Sequence, residues 1–95
     1  MIGYVGNVAG KIFREDEFTL VKVVLASGKK IEKHNHPDKT VLVTIVKGSI
    51  KVLLADEEER YLEPGKVLKF DGNDSIEIYA NERSEFFVTL INKIN

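Results

Sequence analysis

Ninety-five residues are enough for one domain around one core, near the lower end of the self-sufficient range. The 14 basic and 15 acidic side chains leave a formal charge of −1 and are mixed along the chain, so no basic stripe recruits nucleic acid or an anionic membrane. Cysteine is absent, which excludes a disulfide framework, a thiolate metal site and a cysteine nucleophile.

An apolar share of 43% argues for a packed globule. No apolar run approaches the roughly 18 residues of a membrane span. The first residues, Met1 to Gly6, lack a basic stretch followed by an apolar block, so a cytoplasmic location is expected.

In chain order, residues 1–17 read as an N-terminal arm, with Lys11–Phe18 as a short, weakly patterned helical candidate. From residue 18 onward, β-branched and aromatic runs of strand length alternate with turn signals. The runs are Phe18–Leu25, Val41–Val46, Ile50–Leu54, Lys66–Phe70, Ile76–Ala80 and Phe86–Ile91. The turn signals include Ser27-Gly28, Asn35 to Asp38, Lys47-Gly48, Asp56 to Glu58, Pro64-Gly65, Asp71 to Asp74 and Asn81 to Ser84. Turn signals at such spacing predict an all-β sandwich or barrel.

Within the runs, Ile50, Val52 and Leu54 share a face, as do Leu68 and Phe70, and Ile76, Ile78 and Ala80. Side chains two apart on a strand point the same way. The predicted interior therefore contains Val41, Val43, Ile50, Val52, Leu68, Phe70, Ile76 and Ile78. The runs 41–46 and 86–91 are apolar on both faces. A small sandwich needs only one buried face per strand, so the second face predicts a homodimer.

The chemistry-bearing residues cluster in Gly28-x5-His34-x-His36, followed by Val41 and Gly48. On an extended strand His34 and His36 would present two imidazoles to one interior. Glu32 shares their parity, and Asp38 follows Pro37, so either is a candidate third metal ligand. Other constellations are weaker. Asp56 to Glu59 reads as a solvated hairpin tip, with Glu59 and Arg60 as a surface ion pair. Ser75 and Ser84 lack patterned His and Asp partners for a hydrolase triad. Gly3, Gly6 and Gly10 do not lie between a strand and a helix, so they form no phosphate cradle. Tyr61 and Tyr79 read as cross-strand packing residues.

These residues make the chain resemble a small single-domain cupin of the RmlC-like jelly-roll family. The resemblance implies a double-stranded β-helix spanning residues 1–95 as one domain, with its barrel core over about 18–91. In that family's first motif Gly28, His34, His36 and Gly48 fall in register, and Val41 stands at the glutamate position. In its second motif Gly65 opens the pattern, and Ile76 stands at the histidine position. The resemblance thus implies a degenerate metal site, with His34 and His36 alone remaining of three histidines and one glutamate.

Two imidazoles fall short of the three protein ligands of catalytic zinc, and of the two-His-one-carboxylate set of non-haem iron. The leading expectation is a non-enzymatic module that holds a small molecule in the barrel, or senses it, without a cofactor. A second is a metal-dependent isomerase or dioxygenase using a divalent ion on a two-His site. A third is a structural or oligomerisation module.

Overall fold

The computed structural model of the chain describes residues 2–93, among which there are nine strands and no helix. They are β1 (Gly10–Arg14), β2 (Phe18–Leu25), β3 (Lys30–His34), β4 (Lys39–Lys47), β5 (Ile50–Leu54), β6 (Glu58–Leu62), β7 (Val67–Asp71), β8 (Ile76–Ala80) and β9 (Ser84–Asn92). A five-stranded sheet runs β1-β2-β9-β4-β7, and a four-stranded sheet runs β3-β8-β5-β6. Every pairing is antiparallel.

Six of the nine strands match the apolar runs legible in the sequence. The helical candidate Lys11–Phe18 is instead strand β1, a turn and the start of β2. An eight-residue helix is marginal alone in water, whereas pairing Lys11 with Val21 and Phe13 with Leu20 gives the same backbone its partners on a sheet edge. The acidic stretch is a turn over 55–57 and then the exposed edge strand β6, of which only Leu62 is buried. Arg60 pairs with Glu58 at 3.2 Å rather than with Glu59, because alternate residues of a strand share a face.

The two sheets face each other across an apolar interior. Ile50, Val52 and Phe86 are fully buried, with Val41, Val43 and Ile45 nearly so. Of the predicted interior residues, seven are buried and Leu68 is half-buried, packed against the cluster. Removing a Val, Ile or Phe side chain from water contributes about 1.5–3 kcal/mol each, and this burial carries the fold.

The chain crosses from the larger sheet to the smaller at Gly48, where φ is +85°. A Cβ there would collide with the Arg83 carbonyl oxygen and with Ser84. Ser84, itself fully buried, accepts the Ser49 amide at 3.0 Å and donates to the Glu82 carbonyl at 2.8 Å. The crossing is thus packed backbone against backbone, with no room for a side chain. Among the described residues no helix is long and apolar enough to cross a membrane.

Candidate functional site

Ile45, Ile50, Val52, Leu62 and Phe86 fill one end of the barrel. The other end keeps a cavity of about 150 Å³. Its walls come from β2, β3, β4, β7, β8 and β9, and apart from the histidines their lining residues are apolar, including Val41 and Ile76. Among the described residues, His34 and His36 supply its only polar side chains.

The placement of His34 depends on an irregularity in β3. Ile31 pairs with Ile78 and His34 with Ile76, so three steps along β3 oppose two along β8. One extra residue in a strand reverses the facing of the residues after it. Both Ile31 and His34 therefore line the cavity. Glu32 turns outward: its side chain is 78% exposed and pairs with Lys30 at 3.5 Å. The regular-strand parity that put Glu32 beside the histidines does not hold across this bulge. Glu32 contributes its backbone instead, and its carbonyl lies 2.8 Å from His34 Nδ1.

His36 lies in the loop after β3 and is held there by backbone. Its amide donates to the Gly72 carbonyl at 2.8 Å, and the Gly72 amide donates to the Lys39 carbonyl at 2.8 Å. A Cβ on Gly72 would overlap the His36 carbonyl oxygen, so only glycine lets the two loops approach this closely. Asp38 sits at a positive φ of 62°, with its amide donating to Asn73 Oδ1 at 3.1 Å and its side chain exposed. Asp71 pairs with Lys93 at 2.7 Å and accepts the Asn73 amide at 2.9 Å. These carboxylates organise loops, and no group of three or more His, Asp or Glu poised for a metal occurs among the described residues.

The two imidazoles meet edge to face, with Nε2 atoms 3.1 Å apart, centroids at 4.8 Å and an interplanar angle of 89°. Their protonation follows from their partners. A backbone carbonyl only accepts, so His34 Nδ1 carries a proton, and when the ring is neutral its Nε2 is left with a lone pair. His36 must then donate its Nε2–H to that lone pair. Burial in the apolar mouth, then His34, then Lys39 hold the His36 pKa below the ordinary 6.5. The neutral form of His36 is therefore the favoured one.

Two ligands of a tetrahedral ion at about 2.0–2.1 Å stand about 3.3 Å apart, so the Nε2 spacing is close to that of a chelating pair. A carbonyl anchor on the distal ring nitrogen is also what a ligating histidine uses. The remainder of the shell does not fit. Val41 and Ile76 offer no donors, Glu32 points away, and a dication held by two neutral imidazoles among aliphatic walls keeps its charge uncompensated.

No protein-family model and no curated protein matches the sequence. Solved structures match its fold. An RmlC-like cupin with a double-stranded β-helix from Methanocaldococcus jannaschii aligns with a TM-score of 0.82 at 24% identity, over 97% of this chain and 93% of its own. A cupin superfamily protein from Desulfitobacterium hafniense gives 0.82 at 16% identity, over 97% and 84%. The cupin domain of an XRE family transcriptional regulator from Enterobacter cloacae gives 0.77 at 22% identity, over 93% and 97%. With two antiparallel sheets and these neighbours, the chain has the cupin jelly-roll fold.

Sequence reasoning found the histidine pair and part of the walls. It missed Val21, Val23, Ile31, Val88 and Leu90, which complete the cavity, and Gly72, which seats His36. Alternation within β2 and β9 carried a signal for the inward valines. Nothing local marked the approach at Gly72.

Proposed function

We propose that this cupin-fold chain is a non-catalytic binding or sensing module that holds a small, largely apolar molecule in its barrel without a metal. The observation that carries the reading is the apolar cavity of about 150 Å³, polar only at a self-satisfied histidine pair. Pockets of this character, mostly hydrophobic with few polar groups, are suited to small ligands. Catalysis has little to work with here, since among the described residues no hydroxyl nucleophile or carboxylate lines the cavity beside the two imidazoles. The cavity also favours binding over a purely structural role, for which a filled barrel would serve better.

Ligand-observed NMR with a set of small aromatic and branched aliphatic compounds tests the reading. Binding by the wild type that disappears in Val43→Phe, which fills the cavity, is the expected result. Failure of every compound to bind would overturn it.

The spacing of the two Nε2 atoms favours one alternative, a divalent ion on a two-His site with a metal-dependent activity. Elemental analysis of the purified protein separates the two readings. Stoichiometric metal that is lost in the His34→Ala/His36→Ala double variant would replace the binding module with the metal protein. We further propose that the module works as a homodimer joined through the outer face of the larger sheet.

A further inference from the structure

We infer that the occupant of the barrel is a neutral, benzene-sized molecule carrying a single hydroxyl group, of which phenol is the simplest example. This rests on the reading of the chain as a binding module and adds the chemistry of the ligand.

Size comes first. An apolar space of roughly 150 Å³ accommodates a benzene-sized body, and this pocket has that volume while opening to solvent on one side. Its walls provide contacts and nothing to hydrogen-bond, so a second polar group on the ligand would be buried without a partner, at a cost of about 1–3 kcal/mol. The enclosed part of the ligand therefore carries one polar group, at the end facing His34 and His36.

The histidine pair then selects which group. His34 Nδ1–H is committed to the Glu32 carbonyl at 2.8 Å, so His34 presents a lone pair on Nε2. His36 presents an Nε2–H 3.1 Å away. The polar end of the cavity thus offers one acceptor and one donor side by side.

A hydroxyl is the smallest group that answers both. It donates to His34 Nε2 and accepts from His36 Nε2–H, replacing one imidazole–imidazole bond by two without changing the number of protons. A carboxylate only accepts, so it would face the His34 lone pair and bring a charge among Val41, Val43 and Ile76. An ammonium only donates, and would oppose the His36 N–H. A hydrocarbon leaves the pair as it is and gains nothing from it.

Admitting the hydroxyl requires the Nε2 atoms to separate to about 4.6 Å, given two bonds of about 2.8 Å at a near-tetrahedral angle. His34 is tied on β3 by its carbonyl anchor. His36 is borne on a loop, and its ring is the one that swings.

The test compares phenol, toluene and benzoate by calorimetry on the wild-type chain at neutral pH. Phenol and toluene are near-isosteres that differ in the hydroxyl, and benzoate carries the acceptor-only head. Phenol binding about tenfold tighter than toluene, with benzoate weakest, is the expected order. In the double variant His34→Leu/His36→Leu, which removes both the acceptor and the donor, the preference of phenol over toluene collapses to near unity while toluene still binds. Toluene equal to or tighter than phenol, or benzoate tightest, overturns the hydroxyl assignment and leaves the cavity reading standing. No binding by any of the three overturns both. The wild-type order decides the matter even where His34→Leu/His36→Leu does not fold.

Discussion

Gly72 contributes no side chain, yet the site depends on it. Its missing Cβ is what lets the His36 carbonyl pass, and its backbone exchanges bonds with His36 and Lys39. Gly72→Ala is expected to cost about 1–3 kcal/mol from overpacking. It should also displace His36, so that the ring nitrogen resonances of both histidines change in a long-range ¹H–¹⁵N spectrum. Gly3→Ala, which meets open space, serves as the control.

His36 also gives the protein a pH dependence. Its pKa in the fold is below the ordinary 6.5, through burial first and then its neighbours His34 and Lys39. The unfolded chain therefore binds the proton more readily than the folded one, and stability rises with pH in that window. The contribution is complete above the unfolded value and is lost as pH falls through the folded pKa. Thermal melts should show a falling Tm from about pH 7 to 5, and His36→Gln should flatten that part of the curve. Asp71 and Glu85, whose pKa values are held down by Lys93 and by Arg83 with Lys22 respectively, act in the same direction at lower pH.

Strand β8 shows how alternation separates packing from surface chemistry. Ile78 is buried between the sheets, while Tyr79 faces outward and lies opposite both Lys30 and Lys51. Lys51 Nζ is 4.9 Å from the Tyr79 ring centroid, and Tyr61 continues the row on β6. Of the tyrosines anticipated as cross-strand packing residues, Tyr79 thus meets the ammonium groups of Lys30 and Lys51, while Tyr61 lies opposite Lys51 and is exposed. Ile78→Ala is expected to cost about 2–5 kcal/mol by urea unfolding, and Tyr79→Ala about 1 kcal/mol. Equal losses at the two positions would contradict the register of β8.

Strand β3 is the opposite case. Its residues alternate well enough in the sequence to suggest a regular strand carrying Glu32, His34 and His36 inward. The extra residue between Ile31 and His34 is invisible locally, because a bulge arises from how β3 registers against β8. That single step moves a carboxylate from the cavity to solvent and sets what the site can hold.

Across the larger sheet, β4 and β9 occupy interior positions, and their inner faces form the core. Their outer faces carry Leu42, Phe87 and Ile91, joined across the register by Phe18 and Leu20 of β2. All five remain partly accessible in the single chain. This is the surface we propose for a second copy, since a contiguous apolar face is stabilised by exclusion from water. Light scattering should report a dimer, and Leu42→Glu should convert it to a folded monomer with an unchanged circular dichroism spectrum. A monomeric wild type at micromolar concentration would remove the proposal.

Six of the nine strands, the turns and most of the interior were legible along the chain, because period-two alternation and turn chemistry are properties of neighbours in sequence. The histidine pair was legible for the same reason. What folding added was relational: β9 inserted between β2 and β4, a bulge set by the partner of β3, and Gly72 placed against His36 from thirty-six positions away. The cavity belongs to this second kind, since a void is a property of what its walls leave unfilled and no single segment encodes it.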